Sequence, residues 1–197
     1  MVLAEHSQSR VPFVSGFDRF GRHAKLQNKL GAFLTNDKLQ RILGQPKGRI
    51  DLRQIMDDGK ILIVNLIKGT VGENASNLLG SLLVTSLQLA AMSRANIPEA
   101  ERRDFSIVID EFQNYATPAI ATFLSEARKY RTHLVLSHQF TAQLPPEILA
   151  AVLGNVGSMV AFQIGADDAE LFERQFSSHI TADNLMNIPK YTLIAAC

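Results

Sequence analysis

The stretch FSIVIDEFQNY, residues 105–115, decides how the rest of the chain is read. Phe105, Ile107, Val108 and Ile109 make a β-rich apolar run too continuous to alternate, the pattern of a strand buried on both faces of a parallel sheet. Asp110 and Glu111 follow at once. An ionised carboxylate is costly to bury without a partner. The two acids are therefore expected where the strand emerges, at the carboxyl edge where open α/β sheets bind ligands.

Such a pair has two readings. In a P-loop NTPase the first acid holds Mg²⁺ through its water shell and the second polarises the water that attacks the γ-phosphate. The stretch fits equally well a core strand that ends in solvated acids. Context has to separate them.

With 197 residues, 46% of them hydrophobic, the chain is long enough for one substantial α/β domain with a small appendage. A net charge of +1 makes no global case for nucleic acid. The basic residues are nevertheless uneven: Arg10, Arg19, Arg22, Lys25, Lys29, Lys38, Arg41, Lys47 and Arg49 face only Asp18 and Asp37 in the same stretch. They fit solvated helix faces or contact with a DNA backbone, and no interleaved aromatics support base stacking. The single cysteine, Cys197, excludes an intrachain disulfide and a CxxC zinc site, and fits a reducing cytoplasm. The five histidines show no ligand spacing. The longest apolar run, residues 78–92, is broken by Gly80, Ser81, Thr85, Ser86 and Gln88 and is shorter than the roughly 20 residues a bilayer needs, so no membrane span is expected.

Working outward, residues 1–21 have no clean period beyond a short strand near 11–14. Residues 22–34 place Leu26, Leu30, Phe33 and Leu34 at helical spacing, an amphipathic basic helix that opens a small helical segment over 22–58. Thr35 or Asn36 can cap a second helix with Leu39, Ile42 and Leu43, ended by Gly44. After a turn at 46–48, a short helix follows Asp51. KILIVNL, residues 60–66, reads as another doubly covered strand, and residues 68–76 lead into a long helix of roughly 18 residues.

Beyond the acids, Thr117 and Pro118 signal a helix start, and residues 134–137 a strand. Two parallel strands around one helix present their ends at the same edge, which brings Ser137, His138 and Gln139 beside Asp110 and Glu111. Pro145 and Pro146 open a helix that stops at Gly154; residues 158–164 and 191–196 read as strands; Asp167 with Glu170 resembles a capping box for a helix through Phe176. This alternation predicts a predominantly parallel α/β sheet covered on both faces.

No GxxxxGK[ST] occurs in the sequence, so a phosphate-binding loop is missing; residues 68–73 read better as a turn into a helix. Gln139 is placed to sense a γ-phosphate or to hold the attacking water. Arg128 and Arg131, at the end of the intervening helix, either answer the helix dipole or reach a neighbouring subunit's nucleotide as an arginine finger.

The ordered blocks KILIVNLIKGTVGENASNLLGSLL, FSIVIDEFQNY, EARKYRTHLVLSHQ, NVGSMVAFQIGADDAELF and IPKYTLIA resemble the carboxyl-terminal part of the motor domain in TraG/TraD-like conjugative coupling ATPases of type IV secretion, close to the HerA/FtsK DNA translocases. The likeness runs over about residues 26–196. It implies a RecA-like P-loop NTPase core that lacks its P-loop segment, uses ATP and Mg²⁺, assembles as a hexamer and moves DNA. By position, Asp110 and Glu111 look like the Walker B pair, with Asp110 toward Mg²⁺, Gln139 like the sensor and Arg128 like the finger, Arg131 being the runner-up. On this reading the chain is the hydrolytic part of a longer or split motor that works at the cytoplasmic face of the membrane. The alternative is a non-catalytic docking module that binds relaxosome or substrate proteins.

Overall fold

The computed structural model describes residues 37–45, 48, 50–176 and 179–196, and the chain divides into two compact units, Met1–Gln45 and Pro46–Cys197. In the first unit, helix α1 (Asp37–Leu43) has Asp37 in its first turn and Arg41 in its last, both suited to the helix dipole. The strand expected at 11–14, the basic helix at 22–34 and the caps Thr35 and Asn36 lie outside the described residues, as does most of the turn at 46–48.

The second unit begins with α2 (Leu52–Asp57), where Asp51 accepts a hydrogen bond from the Gln54 backbone N–H at 2.9 Å and satisfies one orphan donor of the first turn. A single turn, α3 (Lys68–Val71), is followed by Gly72 at φ 87, a conformation open to glycine, and then by α4 (Glu73–Ser93). Helix α4 starts three residues before the expected stretch ends. With its trailing turn it is long and apolar enough, by length and composition, to cross a membrane (mean hydropathy 1.3). Here it is a packed helix: Val84, Leu87 and Ala91 lie in the main core.

Strand β1 (Phe105–Ile109) pairs in parallel with β2 (Thr132–Leu136), Val108 opposite Val135, with α5 (Pro118–Glu126) between them in the chain. Pro118 holds the first turn of α5, but Thr117 makes no side-chain cap and its hydroxyl is buried without a partner. Then come α6 (Pro146–Asn155), β3 (Met159–Ala161), α7 (Ala166–Glu173), α8 (Ala182–Met186) and β4 (Ile194–Ala196), with β3 and β4 antiparallel. Ile107 and Ile109 pack with Phe112, Ile120, Phe123 and Ile148 in the main cluster, while Ala161, Ala169, Phe176, Leu185 and Ile188 form a smaller one.

The fold is therefore mixed α/β, and four sequence expectations are corrected. The single, mostly parallel sheet is two separate two-stranded sheets among the described residues, one of them antiparallel. The sheet is covered on one face: Val108 and Val135, neighbours on the other, are 72% and 54% exposed because no described helix packs there. Residues 60–66 form no strand. They run unpaired, with Ile61 90% exposed, and are pinned at Leu66, whose carbonyl accepts from Ser76 Oγ at 2.7 Å; an apolar run becomes a strand only when another strand takes its backbone groups. Asp167 and Glu170 form no capping box. Gly165 is the N-cap residue of α7, so both acids already lie inside the helix.

A buried guanidinium ties the amino end of this core. Arg94, fully buried, donates to the carbonyls of Tyr130 (3.1 Å) and Arg103 and lies 3.2 Å from Asp57 Oδ1. Burial lowers its pKa from the ordinary arginine value, and the Asp57 carboxylate opposes that shift.

Candidate functional site

Asp110 and Glu111 stand where β1 ends. Glu111 takes a left-handed conformation (φ 50, ψ 44), which turns the chain away from the strand direction and costs a residue with a Cβ about 1–2 kcal/mol. The turn is held from both sides. Phe112, fully buried, donates its backbone N–H to the Ser137 carbonyl at 2.9 Å, and the Ser137 N–H returns to the Ile109 carbonyl at 3.0 Å. The ladder between β1 and β2 thus continues past the last paired residues and sets the two strand ends side by side.

The side chains follow the backbone. Ser137 Oγ donates to Asp110 Oδ1 at 2.5 Å, and Gln139 Nε2 donates to Glu111 Oε1 at 2.7 Å. The second oxygen, Oε2, accepts from Gln113 Nε2 at 2.6 Å. Both oxygens of Glu111 are therefore held by amides, which orients the carboxylate without neutralising it. Asp110 remains exposed, and hard oxygen donors at one open edge suit Mg²⁺, which takes one or two carboxylates together with substrate phosphates. Among the described residues no cluster of three or more His, Cys, Asp or Glu forms a closed metal cage. The donor set fits a cation shared with a phosphate ligand.

A cavity of about 640 Å³ runs from this edge along β1, between the strand, α4 and the segment that leads into α3. Its walls include Leu62, Val64, Leu83, Leu87 and Ile107; its polar end has Asp110, Glu111, Asn114, Gln139 and Lys68. Lys68 Nζ lies 3.2 Å from both Glu73 Oε1 and Asn114 Oδ1, a cation on the rim of an acidic edge. Gly80 is required behind it, because a Cβ there would lie 2.2 Å from the Tyr115 ring.

Arg128 and Arg131 are elsewhere. They flank the start of β2, where the Arg131 carbonyl accepts from the Phe105 N–H, at the opposite end of the sheet from the acids. Five residues of strand at a ~3.3 Å rise put that end about 17 Å from the acid pair. Neither arginine serves the acids of its own chain. Arg128 is exposed, and Arg131 lies 3.6 Å from Asp104. His138 Nδ1 is buried without a partner and His133 Nε2 lies 3.6 Å from Asp104.

The structure thus brings Asp110, Glu111, Ser137 and Gln139 to one edge, as their strands predict. Gln113 and Lys68 were not singled out from the sequence. A glutamine two places beyond Glu111 points back to it only because the left-handed turn folds the chain there, and nothing in a linear pattern announces that turn. No protein-family model, curated protein or solved structure matches the chain.

Proposed function

We propose that this chain carries the water-activating and nucleotide-sensing edge of a RecA-like, DNA-translocating ATPase of the conjugative coupling type. The observation that carries the reading is the 2.7 Å bond from Gln139 to Glu111 across the ends of adjacent parallel strands. It puts an oriented carboxylate and a donor amide at the edge where α/β sheets bind ligands.

Glu111 is the general base: it takes a proton from the water whose oxygen attacks the γ-phosphorus as the bond to ADP breaks. Gln139 holds that water or donates to a γ-phosphate oxygen, exchanging its bond to Glu111 for one to substrate. Asp110, steadied by Ser137, would hold Mg²⁺, and the ion would supply charge neutralisation on the phosphates. Arg128, exposed at the far end, is assigned to the nucleotide of a neighbouring copy in a ring, and DNA is the cargo. A phosphate loop has to come from another polypeptide segment, since none is in this sequence. A working place at the cytoplasmic face of the membrane belongs to the same proposal.

The test joins this chain to a P-loop segment from a coupling ATPase and compares DNA-stimulated ATP hydrolysis with that of Glu111→Gln. Loss of a general base should slow turnover by about 10²–10⁴-fold. Equal rates would end the assignment. A second reading, a non-catalytic docking module for a relaxosome or substrate protein, is favoured by the bare apolar face at Val108 and Val135. It wins if no P-loop segment is encoded nearby.

A further inference from the structure

Asp168 is a buried charge that the roles above do not use. It is 7% exposed and sits in the first turn of α7, where the helix dipole favours an anion. It does not cap its own helix, and among the described residues it has no ion-pair partner. Its carboxylate instead accepts from a residue 27 positions earlier in the chain. Thr141 Oγ1 donates to Oδ1, and the Thr141 backbone N–H donates at 3.3 Å to Oδ1 and 3.4 Å to Oδ2. An apolar side chain at this position could not accept these hydrogen bonds.

The contact joins two bodies of the second unit. Helix α7 packs through Ala169 and Phe172 into the smaller cluster with β3, β4 and α8, whereas the loop after β2 feeds Leu144, and α6 feeds Ile148, into the main core. Thr141 is itself buried and lies two residues after Gln139. We propose that Asp168 is a positioning residue for the sensor loop: by anchoring Thr141 it holds Gln139 against Glu111 and couples the smaller cluster to the acid pair.

Two peptide units span only about 7 Å, so little slack separates anchor from sensor. The Gln139–Glu111 bond at 2.7 Å ceases to be one beyond roughly 3.5 Å. A displacement of about 1 Å at Thr141 is therefore enough to release Gln139. Movement of the smaller cluster, on which β3 and β4 expose Val160 and Ala195, would then be read at the acid pair without any change in β1. The functional meaning of this coupling rests on the sensor role of Gln139 proposed above, but its test reads hydrogen bonds alone.

The experiment uses the 197-residue chain, ¹⁵N-labelled, and follows the Gln139 side-chain NH₂ resonances together with backbone hydrogen exchange over residues 138–144. In Asp168→Ala, Asp168→Leu and Thr141→Val, the Gln139 signals should move to the position they take in Glu111→Ala, and loop exchange should rise at least tenfold. Thr141→Ser, which keeps the hydroxyl, should restore the unmodified spectrum, a rescue that a merely structural role would not track. In Glu111→Ala the Thr141 amide should stay protected. If the Asp168 variants leave the Gln139 resonances in place, or if Thr141→Val and Thr141→Ser behave alike, the coupling is refuted. Should Asp168→Ala fail to fold, Asp168→Leu and the two Thr141 variants decide it. Loss of the ATPase reading would leave these spectra unchanged, so the two failures are distinguishable.

Discussion

Replacing Arg94 by Met removes one charge from the amino end of the core while keeping most of the side-chain volume, and the sign of its effect depends on which of two large terms wins. Desolvating a guanidinium costs several kcal/mol, so an apolar substitute of similar size can be neutral or stabilising where a buried ion pair is replaced as a whole. Arg94→Met does not replace the whole network. The carbonyls of Tyr130 and Arg103 would each lose a buried donor, at about 1–3 kcal/mol apiece, and Asp57 would lose one of two cations. Asp57 would not be orphaned, because Arg53 Nε stays 2.5 Å from Oδ2, so the penalty falls short of the full cost of an unpaired buried charge. The expected result is a loss of about 2–4 kcal/mol, or roughly 6–12 °C in Tm for a chain of this size.

Urea unfolding followed by far-UV circular dichroism measures it, since the chain has no tryptophan. The pH dependence has a definite sign. The folded-state pKa of Arg94 is lowered, so the folded state binds fewer protons than the unfolded state only between that lowered value and the ordinary arginine value; stability rises with pH there and nowhere below. The loss in Arg94→Met should therefore be flat from about pH 6 to about pH 9. A variant as stable as the parent, or more so, would refute the claim that these hydrogen bonds outweigh desolvation.

Four further outcomes are expected. Gly80→Ala should destabilise by about 1–3 kcal/mol in thermal unfolding, because its Cβ meets the Tyr115 ring, and Tyr115→Leu in the same chain should recover part of that loss. Glu111→Asn should leave stability unchanged or raise it by up to about 1 kcal/mol, since asparagine tolerates the left-handed φ, while ATP hydrolysis by the reconstituted motor falls as it does for Glu111→Gln. Thr181→Ala should cost about 1 kcal/mol in urea unfolding by removing the capping box with Asn184 at the start of α8. In the reconstituted motor, mixing Arg128→Ala with Glu111→Gln should restore hydrolysis above either variant alone, because the finger and the base would act at an interface of unlike subunits; no gain on mixing would remove Arg128 from the site.

Much of the second unit was legible as local pattern. The apolar run at 105–109, the proline-led starts of α5 and α6, and the Asp51 cap are decided within a few residues of chain, and neighbours in sequence are enough to read them. The same locality explains the misreadings. Residues 60–66 have the composition of a strand, yet strand formation is a property of a pair, and the segment has no partner among the described residues. An acid three places from another looks like a cap until the helix is seen to start before both.

By itself the sequence determined which residue types meet at the carboxyl edge, because two parallel strands around one helix must end on the same side. Only the tertiary structure decided how they are held: the left-handed turn at Glu111 that brings Gln113 back onto it, the ladder bonds through Ser137 that align Gln139, the buried Asp168 beneath the loop after β2, and the sheet face that no described helix covers. These depend on contacts between residues far apart along the chain, and such contacts form only once the hydrophobic core has fixed the elements against one another.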